Sequence, residues 1–155
     1  LENLMAGCYK TTRCGPLADM LRLASSRREL QGMADDSRHI ARRFGLEKLL
    51  DRVAGTLPAG QMRIVELARA CIGKPQLLML DEPSSGLSSA EIDELRDRIR
   101  LLNDEGLTIL LVSHDMGLMN VAHGVNVLYF GEIIASGVME QIQSDQRVRD
   151  AYLGA

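Results

Sequence analysis

Leu77-Leu78-Met79-Leu80-Asp81-Glu82-Pro83 decides the fold. Four consecutive apolar residues suit a strand buried on both faces, as in a parallel sheet. Two carboxylates follow at once, and Pro83 stops the strand. Ligands of open α/β sheets sit just beyond the carboxyl ends of the strands, so Asp81 and Glu82 would stand at that rim. Adjacent acids there suit two tasks: Asp81 holding Mg²⁺, directly or through its water shell, and Glu82 activating a water. A strand running into an acidic turn explains the same residues.

Downstream, Ser84-Ser85-Gly86-Leu87 reads as a loop, and Ser88 with Glu91 three positions on is a capping-box pattern. Ile92, Leu95, Ile99 and Leu102 mark one face of a helix that Gly106 closes. About 16 helical residues cover roughly 24 Å, enough to return along a strand of about six residues. Thr108-Ile109-Leu110-Leu111-Val112 is then a second buried strand, parallel to the first, in a right-handed βαβ unit. It ends at Ser113-His114-Asp115, which places His114 on the same rim as Glu82. A short helix near Met116–Ala122 follows. Val125–Phe130 and Ile133–Ala135 read as a hairpin turning around Gly131-Glu132, and Gly137 leads into a helical tail ending at Tyr152-Leu153.

Upstream, Leu57-Pro58-Ala59-Gly60-Gln61 opens a helix with a wide apolar face, which Gly73-Lys74-Pro75 ends. Its first turn offers backbone N–H groups and a positive dipole end, and Gly60 lets an anion approach closely; these features suit a phosphate. A helix cap is the plainer reading. Residues 1 to about 56 read as mostly helical. Leu17, Met20, Leu21 and Leu23 form an apolar face after Pro16, and a further helix runs from about Asp36 to Phe44 with Gly45 as its stop. Arg22, Arg27, Arg28, Arg38, Arg42 and Arg43, with acids interleaved, read as solvated helix surface.

Composition narrows the function classes. The 155 residues suffice for one domain with a real core, and 46% hydrophobic with 25% charged is ordinary for a soluble globular protein. Aromatics are 3% with no Trp, so base-stacking platforms are not expected. Lys and Arg total 18 against 21 Asp and Glu, which argues against a nucleic-acid-binding surface. No apolar run is long enough to span a bilayer, and the first residues do not read as a signal peptide. Cys8, Cys14 and Cys71 show no pairing or zinc-site pattern and read as free thiols.

An amide-lined helix tip, an acid pair and an imidazole, in this order, resemble the ATP-binding subunit of ABC transporters over essentially the whole chain. Leu57–Gln61 resembles the signature motif of that family, Leu77–Glu82 its Walker B strand, Ser85–Ser88 its D-loop and His114 its switch histidine. Leu1-Glu2-Asn3-Leu4 and Asp150-Ala151-Tyr152-Leu153-Gly154 are similar to the ATPase components of branched-chain amino acid uptake systems.

The resemblance implies a fold class: α/β, a partial P-loop NTPase of the ABC ATPase type. Residues 1–60 would be a helical subdomain ending in the signature motif, and 61–155 the C-terminal part of the α/β ATPase core with its parallel strands. It implies ATP and Mg²⁺ as cofactors. Asp81 would order the metal, Glu82 would polarise the hydrolytic water and His114 would hold the γ-phosphate. Pro58, Ala59, Gly60 and Gln61 would touch ATP held by a second ATP-binding subunit, and Ser85 and Gly86 would communicate across that dimer. Transmembrane permease subunits would be the other partners, nucleic acid none, and the location cytoplasmic, peripheral on the inner face of the plasma membrane. A DNA-repair or translation-linked ATPase of the same fold, or a non-catalytic interaction fragment, are the alternative readings.

Three positions depart from the family pattern. Pro58 stands where serine is common and Ala59 where glycine is, so one phosphate contact is lost at Pro58. Ser88 stands where Asp is frequent. No G-x-x-x-x-G-K-[ST] stretch occurs in the chain, and the glutamine loop and the adenine-stacking aromatic are also absent. The expectation is therefore a C-terminal portion that binds ATP weakly, does not turn it over alone, and self-associates through uncovered core.

Overall fold

The computed structural model describes residues 1–12, 20, 21 and 23–153. Its elements are α1 (Glu2–Met5), α2 (Ala24–Arg43), α3 (Ala59–Cys71), β1 (Leu77–Asp81), α4 (Ser89–Asp104), β2 (Thr108–Val112), α5 (Met116–Met119), β3 (Val125–Tyr129), β4 (Glu132–Gly137), α6 (Met139–Ser144) and α7 (Gln146–Leu153), with a 3₁₀ segment at Ala6–Thr11 after α1 and two more, Glu47–Leu49 and Ala54–Thr56, between α2 and α3. The chain divides into two compact units, Leu1–Leu78 and Met79–Ala155. The motif-based division falls at 60/61 and the packing-based one at 78/79, inside β1.

The first unit is helical. α1 packs on both α2 and α3. Leu4, Cys8, Ile40, Ala41, Phe44, Leu57, Ile64, Leu67 and Cys71 are among its buried residues. α2 is one helix of 20 residues, longer than the stretch from about Asp36 that periodicity suggested. It ends as the sequence indicated. Gly45 adopts φ 71, its N–H donates to the Arg42 carbonyl at 3.1 Å, and the Leu46 N–H reaches back to Ala41 at 2.7 Å. That double bond pattern around a left-handed residue is a Schellman stop. Arg27, Arg28, Arg38, Arg42 and Arg43 are solvent-exposed on α2. Met20, Leu21 and Leu23 are exposed instead of forming a covered face; Cys14, Pro16, Leu17 and Arg22 lie outside the described residues.

The second unit carries the two-strand unit read from the sequence. β1 and β2 pair with each other, and the 16-residue α4 between them is the crossover a parallel pair needs. The capping box at Ser88 and Glu91 is formed, and Leu95, Ile99 and Leu102 are buried. β3 and β4 form a separate antiparallel hairpin. Its two-residue turn is Phe130-Gly131, with φ 46 and 85, one position earlier than the sequence suggested. Positive φ at both positions matches the twist of the flanking strands. The hairpin packs with α6 and α7 around Val125, Ala135, Met139, Ile142 and Val148.

The expectation that β1 and β2 are buried on both faces is corrected. Leu77 is 50% exposed, Met79 68%, Leu110 49% and Val112 51%. β1 alternates, with Leu78 buried between exposed neighbours. Among the described residues this sheet has two strands only, and the face carrying Leu77, Met79, Leu110 and Val112 lacks a covering layer there.

Candidate functional site

The second unit brings Glu82 and His114 together. β1 ends at Asp81, and the backbone of Glu82 turns into the left-handed region with φ 45. That conformation costs a non-glycine residue about 1–2 kcal/mol. The Glu82 N–H donates to the Val112 carbonyl at 2.8 Å, so the residue after β1 is fastened to the end of β2. β2 is followed by Ser113 and His114, and His114 Nδ1 lies 2.8 Å from Glu82 Oε2. The imidazole side chain is 76% exposed and the carboxylate side chain 39%. Oε2 itself is shielded and meets no other described donor, so its one polar neighbour is the imidazole, and the contact becomes an ion pair when His114 is protonated.

Electrostatics follows from this contact. Glu82 holds the pKa of His114 above its ordinary value, as a close acceptor first and as a charge second. Partial desolvation opposes the shift, and Asp115 adds to it. Asp115 caps α5: its Oδ1 accepts the Leu118 N–H at 2.8 Å. The cap fixes where the chain turns after His114.

Ser85 and Gly86 are exposed in the loop that follows. The Ser85 N–H bonds the Glu82 carbonyl at 3.2 Å, the Leu87 N–H bonds Ser84 at 3.1 Å, and Gly86 supplies φ 76. Asp81 is exposed at the strand end. Among the described residues no cluster of three or more His, Cys, Asp or Glu side chains could hold a metal. A lone carboxylate still fits Mg²⁺, which is commonly bound through one or two carboxylates and substrate phosphates.

A cavity of about 620 Å³ opens beside the pair. Glu82, Ser113 and His114 are its polar lining at one place, and β2 and β3 contribute consecutive residues such as Leu111, Val112 and Val127 elsewhere. Both strands belong to two-stranded sheets, so each ends its sheet among the described residues.

In the first unit, Pro58 is the N-cap of α3, with φ −54 and ψ 154, and its own side chain makes no capping hydrogen bond. Its carbonyl accepts the Met62 N–H at 2.9 Å, the first bond of the helix. Ala59, Gly60 and Gln61 form the first turn. Pro58 fits this position because a proline ring tolerates the non-helical ψ and needs no N–H there. Cys8 and Cys71 are buried thiols outside any disulfide among the described residues, and burial pushes both pKa values up, away from reactive thiolate character.

Sequence reasoning missed Ser84 and Ser113. Ser84 is buried, and its hydroxyl lies 3.3 Å from that of Ser113. Nothing in the periodicity marks either residue; the only signal is their adjacency to the acid and the imidazole.

A strand ending in an acid pair, a crossover helix, and a second strand ending in an imidazole at the same rim define an α/β core of the P-loop NTPase type. Residues 8–85 match the sequence pattern described as ABC transporter, and residues 132–155 match that of the branched-chain amino acid ATP-binding cassette transporter. The chain belongs to the ABC transporter family. It is 35% identical to the high-affinity branched-chain amino acid transport ATP-binding protein BraF of Pseudomonas aeruginosa and 36% identical to LivG, which carries the same description, of Escherichia coli; each match covers 99% of this chain and 61% of the relative. The lipopolysaccharide export system ATP-binding protein LptB of Haemophilus influenzae is 31% identical over 72% of this chain and 46% of its own length. Two crystal structures of ATP-binding cassettes of ABC transporters superpose on it. One, in an ADP conformation, has a TM-score of 0.78 at 26% identity; the other, nucleotide-free, has 0.80 at 25%. Each covers 99% of this chain and 62% of the other. The chain thus spans about three fifths of the length of BraF and LivG. Among the described residues no helix is long and apolar enough to cross a membrane.

Proposed function

We propose that this chain supplies the acid–imidazole half of an ATP-hydrolysing subunit that energises an ABC importer for branched-chain or related amino acids. The observation that carries the reading is the 2.8 Å approach of His114 Nδ1 to Glu82 Oε2 beyond the ends of β1 and β2. Glu82 polarises the attacking water, and His114, facing it with an exposed ring, donates a hydrogen bond to the γ-phosphate. Asp81 holds Mg²⁺, which when bound screens the phosphate charge. Pro58, Ala59, Gly60 and Gln61 present the α3 tip to ATP on a second ATP-binding subunit, and Ser85 and Gly86 communicate across that pairing. Membrane permease subunits receive the resulting motion, which places the assembly at the inner face of the plasma membrane.

The phosphate-cradling loop of this reading is not in the sequence. The groove walled by β2 and β3 supports it, since each strand ends its sheet among the described residues, which leaves room for a strand that runs into such a loop. The amino acid specificity draws support from the match at 132–155 and from the BraF and LivG relatives.

The test joins the phosphate-loop portion of BraF upstream of Leu1 and measures Mg²⁺-dependent ATP hydrolysis. The fusion is expected to hydrolyse ATP, and Glu82→Gln and His114→Ala to abolish it, while the 155-residue chain alone shows no turnover. A folded, active fusion indifferent to Glu82→Gln, or turnover by the chain alone that Glu82→Gln removes, would overturn the reading.

A further inference from the structure

Three contacts tie the segment after β1 to the segment after β2. The Glu82 N–H bonds the Val112 carbonyl at 2.8 Å, the Ser84 and Ser113 hydroxyls meet at 3.3 Å, and the Glu82 carboxylate meets His114 at 2.8 Å. They involve successive residues 112, 113 and 114 on one side. Ser113 Oγ also accepts the Asp115 N–H at 3.1 Å, and Asp115 caps α5, so the hydroxyl bridge is continuous with the anchor of the next helix. Ser84 is 6% exposed, which places its hydroxyl in an environment where an unmade hydrogen bond is costly.

The contacts differ in how they respond to charge. The Glu82–His114 attraction strengthens when the imidazole is protonated, and a phosphate acceptor would compete for the ring. Asp115 is the other charged group acting on that ring. A bridge of two serine hydroxyls does not titrate in the working range of the enzyme. It therefore holds the spacing of the two segments whichever charge state His114 is in.

We propose that Ser84 and Ser113 are positioning residues, whose part-buried hydroxyl bridge sets the distance between the Glu82 carboxylate and the His114 imidazole. The proposal rests on the reading of that pair as the hydrolytic one, and adds what keeps it in register.

The test is a ¹H NMR titration of the histidines in the 155-residue chain, with His114 assigned by the resonance lost in His114→Gln. Ser84→Ala and Ser113→Ala are expected to lose the upward displacement of the His114 pKa while the chain stays folded, with the larger Tm loss in Ser113→Ala, which leaves the buried Ser84 hydroxyl without its partner. Ser84→Thr and Ser113→Thr, which keep the hydroxyl, are expected to retain it. Adding Glu82→Gln to either alanine variant is expected to change nothing more. An unmoved His114 titration in both alanine variants would overturn the proposal. So would alanine variants that fail to fold, because the bridge would then be structural. If Glu82→Gln moves the titration and the serine variants do not, the bridge falls and the pair stands; a fusion enzyme indifferent to Glu82→Gln removes the hydrolytic reading whatever the titration shows.

Discussion

Replacing Ser88 by alanine asks what this residue does at a position where the family often carries aspartate. In the structure it is a helix cap. The Ser88 N–H donates to Glu91 Oε2 at 2.9 Å, and the Ser88 hydroxyl donates to the same oxygen at 2.7 Å while accepting the Glu91 N–H. Alanine keeps the backbone contact and removes both made by the hydroxyl. The orphaned amide sits at an exposed helix end, where water takes it over, so the loss is that of an ordinary cap, about 1 kcal/mol within a range of about 0.5–2. For a chain of this length, 1 kcal/mol lowers Tm by about 2–4 °C. Aspartate keeps the acceptor and gains about 0.3–1 kcal/mol from the helix dipole. It gives up the hydroxyl donor and sets a like charge against Glu91, which offsets that gain. The expected order of stability is serine close to aspartate, both above alanine, read from urea unfolding followed by circular dichroism. Alanine as stable as serine, or aspartate as low as alanine, would refute the argument that capping governs this position.

Further expectations follow from individual residues. Leu118 is fully buried in α5, three positions after the Asp115 cap, so Leu118→Ala should cost about 2–5 kcal/mol in urea unfolding. In the first unit, a Cβ on Gly7 would overlap Ile72 Cγ2 and stand 2.5 Å from the Arg69 carbonyl oxygen; Gly7→Ala should destabilise by about 1–3 kcal/mol, because backbone has to move. The pKa of His114 is raised in the folded chain by Glu82. The stability contributed by their pairing is therefore complete below the unfolded histidine value and is lost as pH rises through the folded one. Glu82→Gln should bring the His114 titration back toward the ordinary histidine value and flatten that part of the pH–stability curve.

The βαβ unit was legible because independent signals agreed. Ser88 and Glu91 marked where α4 begins, Leu95, Ile99 and Leu102 its inner face, and Gly106 its end, and the helix length fixed where β2 could return. From that, His114 had to arrive near Glu82. The exposure of Leu77, Met79, Leu110 and Val112 was not legible. An apolar run reports the surroundings a strand suits, not whether a covering layer is there. The turn at Phe130-Gly131 escaped because an aromatic residue at positive φ breaks the usual preference. The extent of α2 escaped because Gly32 and interleaved charges blur its periodicity. The left-handed Glu82 and the Ser84–Ser113 bridge have no periodic signature; both arise only when two strand ends meet.

That local origin bears on how the site is held. Burying an apolar side chain fully contributes about 1.5–3 kcal/mol, and the half-exposed residues of β1 and β2 realise only part of it. Yet Glu82 and His114 stand 2.8 Å apart. Their approach therefore comes from the contacts at the strand ends, the Val112 carbonyl taking the Glu82 N–H, the two hydroxyls, and the Asp115 cap on α5. A layer over the exposed face would add stability to the sheet without being needed to set that distance. Polar substitutions at Met79 or Leu110, far more tolerable here than in a covered sheet, should then leave the His114 titration unchanged, whereas loss of either serine hydroxyl should shift it. The two sets of variants separate the energy that holds the sheet from the geometry that holds the site.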